Sequence, residues 1–438
     1  MNKINVQEII DNAKFNKFHW QVLLWCAIII IVDGYDLVIY GTVLPKLMEE
    51  WHLTPAEAGS LQSFALFGMM FGALFFGTIA NRIGYKKAMI ACVALFSTFT
   101  FICGFLNSPQ LFGICRFFAG LGIGGAMPSA VALTTEYAPK KIRSTLATIM
   151  FSGYPIGGVL SATLGIFLIP SFGWRSVFLV GGLPLLLLPI IYKLLPESLA
   201  FLIKSGKNDE AQANLTKIDP NYTPLSNAEF EIPSKQASGV DISELFKNGR
   251  GLTTVMFWLA FFMCLLNVYG LNTWLPKLMT KAGYGLGSAL TFLLVLNFGG
   301  IIGAVSGGQL GDKYNLRKTI IAFFSIAALS LVFLGLLNTM GLKDSTFMLY
   351  FLIGVAGATV IGTQILTYAL VAQYYPAVIR TTGVGWASGI GRIGAIVGPM
   401  LGAALTTWNL PFEQNFFAFA LPAVIGAIAV FFVRKPVL

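Results

Sequence analysis

Four ionisable residues stand inside long apolar stretches of the sequence: Asp33, Asp36, Arg116 and Arg392. An Asp at the bilayer centre costs roughly 2.5 to 3.5 kcal/mol on insertion scales, so acids in such segments face a protein interior or a water-filled path and mark functional sites. Asp33 and Asp36 are three residues apart, about 300° of helix rotation, which puts them on one face together with Tyr40. Two carboxylates this close resist double ionisation, because desolvation and like charge both oppose it. The pair reads as a proton-titrating couple lining a cavity; the plainer alternative is a paired structural couple that anchors its helix. Arg116 and Arg392 keep their charge in practice and present a planar fork to a carboxylate. One is expected to bind a substrate carboxylate and the other to pair with an Asp until a proton arrives. Arg392, flanked by Gly389, Gly391 and Gly394, is the stronger candidate for substrate, while Arg116, near one end of its stretch, could partly snorkel. A fixed interhelical ion pair is the alternative for either.

Five further polar residues interrupt apolar stretches in the second half: Asn267, Asn272, Asn297, Gln364 and Tyr368. Interhelical hydrogen bonds account for many such groups. Gln364 and Tyr368 are four apart and share a face, and Asn267 aligns with Asp36 in the repeat described below. These three join Tyr40 and the arginines as candidate cavity residues. Searches for other chemistry come back empty. His19 and His52 are the only histidines, both near ends of apolar stretches, so neither a metal site nor a histidine proton relay is expected. No phosphate-binding G-x-x-x-x-G-K-[ST] and no G-x-S-x-G occurs. The expectation is therefore no enzyme and no cofactor, with a proton as the coupling ion.

The elements that position these residues follow from composition. Of 438 residues, 56% are hydrophobic and 11% charged, against about 25% charged in a soluble domain. Apolar runs of spanning length fall at 19–44, 58–80, 86–106, 109–134, 142–169 and 173–194, and again at 251–276, 286–310, 318–338, 345–371, 380–406 and 412–433. The polar stretch 195–250 separates six from six, which gives an all-α membrane protein of two six-helix bundles, 1–194 and 251–438. The five cysteines lie in apolar stretches without ligand spacing and read as packing residues. About eighteen mostly polar residues precede a full-length first span, so no cleavable signal peptide is expected.

The net charge of +10 is an address. With both termini on one side, 22 of the 29 Lys and Arg fall on that side, five on the other (Lys46, Arg175, Lys277, Lys281 and Lys343) and two within spans. The positive-inside rule then places both termini in the cytoplasm. Membrane lipid is the expected surrounding and nucleic acid is not an expected partner.

The halves repeat in parallel. Leu44-Pro45-Lys46-Leu47-Met48 recurs as Leu275-Pro276-Lys277-Leu278-Met279, an offset of 231 that also carries Gly68, Gly72 and Gly77 onto Gly299, Gly303 and Gly308. Asn81 and Arg82 map onto Asp312 and Lys313. Tyr137-Ala138-Pro139 to Arg143 matches Tyr374-Tyr375-Pro376 to Arg380 at offset 237. Parallel six-helix repeats are a transporter architecture with the substrate site between the repeats near mid-membrane. Glu136 and Arg143, recurring as Gln373 and Arg380, read as an inter-bundle gate. The glycine rows read as close-packing surfaces.

These motifs resemble a known family. Gly77-Thr78-Ile79-Ala80-Asn81-Arg82-Ile83-Gly84-Tyr85-Lys86-Lys87 resembles the loop 2/3 pattern of the major facilitator superfamily, and Arg116-x-x-x-Gly120-x-x-x-Gly124-x-x-x-Pro128 its span 4 pattern. Pro196-Glu197-Ser198 resembles its span 6 exit. Asp33-Gly34-Tyr35-Asp36 is similar to the D-G-x-D signature of the aromatic acid:proton symporters. The resemblance implies proton-coupled import of a small aromatic carboxylate, benzoate or a hydroxybenzoate, by a bacterial inner-membrane carrier acting as a monomer. An aliphatic or dicarboxylic acid such as muconate, or proton-coupled export, is the alternative. Asn81 stands where the family has Asp, and Tyr85 where it usually has Arg, so the charged lock formed with Arg82 is expected to be weaker in the first half than around Asp312. Between the two acids, Asp36 is preferred for coupling, because its repeat mate Asn267 is a neutral polar residue.

Overall fold

The computed structural model describes residues 3–220, 222, 229–231, 242–337, 340, 345–408 and 410–433. The middle of the connector, Lys343 and the basic pair at 434 and 435 lie outside the described residues. Among the described residues, twelve helices are long and apolar enough to cross a bilayer. In the first half they are span 1 (Lys17–Glu50), span 2 (Pro55–Ile83), span 3 (Tyr85–Cys103), span 4 (Pro109–Tyr137), span 5 (Thr145–Phe172) and span 6 (Arg175–Leu194). The second half has span 7 (Gly251–Lys281), span 8 (Leu286–Tyr314), span 9 (Leu316–Leu336), span 10 (Thr346–Tyr374), span 11 (Thr382–Thr407) and span 12 (Gln414–Phe431). Large apolar side chains such as Phe167, Phe172, Leu186 and Phe347 project outward, as a lipid-facing surface requires.

Helix starts follow local chemistry. Span 2 begins with a capping box in which Thr54 and Glu57 exchange hydrogen bonds across Pro55. Gly84, at φ +98°, ends span 2 and turns the chain straight into span 3. Spans 1 and 7 run on past Pro45 and Pro276, where the apolar pattern alone suggested an end. A proline inside a helix frees the carbonyl four residues earlier; here those carbonyls belong to Gly41 and Asn272. Spans 5 and 6 are each broken once, at Ser152 and at Gly181-Gly182. The connector carries two helices, Leu199–Lys204 and Asn208–Ile218. Outside the spans, Lys3–Asn5 and Glu229–Glu231 form a short parallel ladder.

Packing repeats between the halves. Span 2 lies on span 4 and span 1 on span 5, as span 8 lies on span 10 and span 7 on span 11. Glycine permits these approaches: a Cβ at Gly68 or Gly124 would sit 2.0 Å from the carbonyl of Phe117 or Met69, and one at Gly299 would sit 2.1 Å from that of Gly354. Gly157 against Ile31 recurs as Gly394 against Phe262, at the two sequence offsets.

The halves meet along spans 1 and 7, spans 2 and 11, and spans 5 and 8. Gly41 abuts Asn272, Gly59 abuts Ala403, Gly158 abuts Asn297, and the Ser63 hydroxyl donates to the Ile396 carbonyl at 2.9 Å. All of these contacts lie from mid-span toward the face remote from the termini. On the termini face, the hydrogen bonds described for the span ends run within one half or to the connector and the N-terminal segment.

Candidate functional site

Asp36 and Arg116 are brought together by the crossing of spans 1 and 4. Arg116 donates from Nη1 to both carboxylate oxygens, at 2.9 and 3.1 Å, and from Nη2 to the Asp36 carbonyl at 3.0 Å. The Thr100 hydroxyl of span 3 donates to the same carboxylate. Both side chains are sealed, 0% exposed for Arg116 and 2% for Asp36. Arg116 therefore neither snorkels nor reaches a substrate in this conformation: its depth beside span 1 gives it an internal partner. Tyr40 also departs from expectation. It is fully buried and donates to the Ala58 carbonyl at 2.6 Å, tying span 1 to span 2 rather than lining a cavity. The position matching Arg116 in the second half is Ile353, and Asn267 replaces Asp36, so the ion pair has no copy there. Asn267 is buried with Oδ1 unpartnered.

Asp33 behaves differently. It is buried, yet its Oδ1 has no hydrogen-bond partner. It lies close enough to interact electrostatically with Arg392 of span 11, on the other half, and with Tyr154 and Tyr269. Arg392 sits at the middle of its helix, half-buried, with one long hydrogen bond to the Met69 carbonyl of span 2 at 3.4 Å. Tyr269 and Tyr368 are also within its electrostatic reach. Tyr368 stacks on Phe151 of the first half at 6.3 Å between centroids and meets Phe261 edge-on at 4.8 Å. The Tyr154 hydroxyl is buried without a partner. An acid, a guanidinium with spare donors and aromatic rings thus converge between the halves at mid-membrane, with Gln364 almost buried on the same face of span 10 as Tyr368.

Comparison with known proteins decides the family. The Major Facilitator Superfamily model matches residues 26–368 and 308–438. The chain belongs to the major facilitator superfamily. It is a multi-pass membrane transporter, not an enzyme. The benzoate transport protein of Acinetobacter baylyi is 44% identical, covering 99% of this chain and 93% of that protein. The gentisate transporter of Corynebacterium glutamicum is 39% identical over 91% of this chain and 84% of its own length. A partially occluded, inward-open structure of the xylose transporter XylE from E. coli superimposes with a TM-score of 0.72 at 18% identity, covering 96% of this chain and all of that one, a likeness of fold.

Within this superfamily architecture the loop and gate residues hold partners close by. The Glu136 carboxylate accepts from the Ser198 hydroxyl at 3.0 Å and the Ala200 amide at 2.9 Å, holding the first connector helix. Arg143 pairs with Asp11 of the N-terminal helix Val6–Asn12 at 2.6 Å and donates to the Ala138 carbonyl. Arg380 makes the equivalent backbone contact, to Tyr375 at 3.3 Å. Asn81 accepts from the Tyr85 hydroxyl at 3.1 Å, and both Arg82 and Asp312 are exposed. Among the described residues, these named partners belong to the same half as each gate residue or to its appendages.

Sequence reading did not single out Tyr154, Tyr269 and Phe151 for the site. Tyr154 sits in a glycine-rich run that reads as packing, and a Cβ at Gly34 would lie 2.2 Å from its carbonyl. The available signal was a phenol inside an apolar span, whose hydroxyl needs a partner.

Proposed function

We propose that this transporter imports a small aromatic carboxylate together with a proton, through a functional single chain whose termini are cytoplasmic in a bacterial inner membrane. The carrying observation is the unpartnered Oδ1 of buried Asp33 beside Arg392, itself held by one long hydrogen bond. A lone ionised carboxylate in such a place is costly, so a proton on Asp33 is the natural companion of the closed site. The Arg392 fork has donors to spare for a substrate carboxylate. Tyr154, Tyr269, Tyr368 and Phe151 offer flat faces and edges to an aromatic ring. The names of the relatives, benzoate and gentisate transporters, favour the same ligand class.

In this reading substrate and proton enter from the face remote from the termini. The substrate carboxylate settles on Arg392, the ring lies among the aromatics, and Asp33 takes the proton. With both charges compensated, the halves rock about spans 1 and 7 and open toward the termini. Asp36 stays paired with Arg116 and fixes the rotation of span 1, which aims Asp33. No cofactor beyond the proton is required. The test is uptake of radiolabelled benzoate by proteoliposomes with an inward proton gradient and with none. Accumulation that tracks the gradient supports the proposal, and uptake indifferent to it sinks the coupling.

A further inference from the structure

On the face remote from the termini, a recess of about 660 Å³ lies over the crossing of spans 1 and 7. Its lining includes Lys46 and Glu49 from the first half and Lys277, Thr280 and Lys281 from the second. Five Lys and Arg of the whole chain fall on this side by the spans' order, and three of them line this one recess. Topology works against basic residues there, so their gathering at a single opening calls for another cause. Lys46 and Lys277 are repeat mates, so each half supplies one ammonium on either side of the path between them. The recess carries three ammonium groups against one carboxylate. Glu49 is engaged by Lys46 at 2.7 Å. Lys277 is half-buried in the recess and has no ion pair among the described residues.

We propose that this recess is a capture site for small carboxylate anions, holding substrate at the outer mouth before the halves open. This deepens the proposed function and rests on it for the identity of the anion. A walled concavity focuses the field of its charges and raises the local concentration of a counter-charged ligand, by tenfold or more in favourable cases. The site is selective for charge rather than for the ring, because its lining holds three ammonium groups, the Glu49 carboxylate, the hydroxyls of Thr280 and Thr406 and aliphatic surface, with a single phenol, Tyr284. Pro45 lines the recess beside Lys46, both prolines lie inside continuous helices, and Gly41 meets Asn272 four residues earlier along spans 1 and 7.

Two measurements on the full chain in proteoliposomes test this. The first replaces Thr280 by Cys and compares its reaction with an anionic and a cationic thiosulfonate reagent, with Lys277 and Lys281 intact or both changed to Gln. The expected result is an anionic preference of about fivefold or more that the Gln changes abolish and Lys277→Arg retains. The second measures benzoate uptake at about 0.01 M and 0.15 M salt, where the screening length falls from about 30 to 8 Å. The Lys277→Gln/Lys281→Gln variant should raise the half-saturating concentration severalfold at low salt, leave the maximum rate unchanged and lose the salt dependence. Absence of an anionic preference at Thr280→Cys, or an unchanged half-saturation in the double variant, overturns the capture site. If the parent protein takes up no benzoate, the functional proposal fails, and the reagent ratio still decides whether the recess attracts anions.

Discussion

Gly41 and Asn272 are repeat mates, 231 residues apart, and they touch: a Cβ at Gly41 would lie 2.0 Å from the Asn272 carbonyl oxygen. Each sits four residues before a proline, so each carbonyl is relieved of its intrahelical donor. The contact thus lies on the symmetry relation of the halves and closes the remote face. Gly41→Ala should open it, since overpacking at such a contact costs about 1 to 3 kcal/mol. The readout is a cysteine at Ser63, now sealed against Ile396. Its labelling from the remote face should accelerate in the Ala variant; equal rates would show that the contact does not hold the face shut.

The Asp36–Arg116 pair makes a prediction about stability. Removing one partner of a buried ion pair typically costs about 3 to 5 kcal/mol, whereas replacing both by fitting uncharged residues is often close to neutral. The second half displays the uncharged solution, Asn267 with Ile353. Asp36→Asn and Arg116→Ile should each lower the thermal midpoint in detergent, and the double variant should recover most of the loss. A double variant as unstable as the sum of the singles would argue against a closed pair.

Asp33 is the acid expected to couple. Asn at this position mimics a permanent proton, so Asp33→Asn should keep substrate counterflow but lose accumulation driven by a proton gradient. Asp36→Asn should instead impair folding and every transport mode together. A Asp33→Asn protein that still concentrates benzoate in proportion to the gradient would remove Asp33 from the coupling step.

Much of this was legible in the residues. Twelve apolar runs have only helices to become in a bilayer, and the Leu-Pro-Lys-Leu-Met repeat exposed the two halves. The types of the site residues, two acids and two arginines, could also be read directly. Their pairing could not. Arg116 joins Asp36 where spans 1 and 4 cross, and that crossing is a property of packing rather than of spacing. The repeat alignment favoured Asp36 for coupling through Asn267, yet Thr100 and Arg116 enclose Asp36 and leave Asp33 facing the other half. The local partners of the gate residues were not legible for a different reason: Ser198, Ala200 and Asp11 come from the connector and the N-terminal segment, outside the repeat that suggested the gate.

The N-terminal helix breaks the symmetry of the halves in one place. Arg143 and Arg380 make matching backbone contacts, but among the described residues a carboxylate partner, Asp11, is seen at Arg143 and not at Arg380. Val6 and Ile10 of the same helix are buried against the first bundle. Asp11→Asn should free Arg143 for other partners and change the turnover rate, with little effect on half-saturation because the site lies far from the substrate. The pair is partly exposed, so its contribution to stability should be at most about 1 kcal/mol. Identical turnover in the parent and variant would make the contact a simple tether.

Arg392 offers the sharpest separation of charge from shape. Its guanidinium is half-buried at mid-helix and has one hydrogen bond, 3.4 Å long, to the Met69 carbonyl, so the folded state depends little on its fork. A carboxylate ligand would depend on it heavily, because two parallel donors fit two oxygens. Lysine keeps the charge but offers a point rather than a fork. Losing one hydrogen bond to a charged group costs about 1.5 to 3 kcal/mol, a factor of roughly 10 to 100 in affinity. Arg392→Lys should therefore raise the half-saturating benzoate concentration by that factor while leaving the thermal midpoint in place, and Arg392→Gln should raise it further. Binding by titration in detergent, alongside thermal unfolding, separates the outcomes. If Arg392→Lys binds benzoate as tightly as the parent, Arg392 is a packing residue between spans 2 and 11 and the substrate carboxylate rests elsewhere.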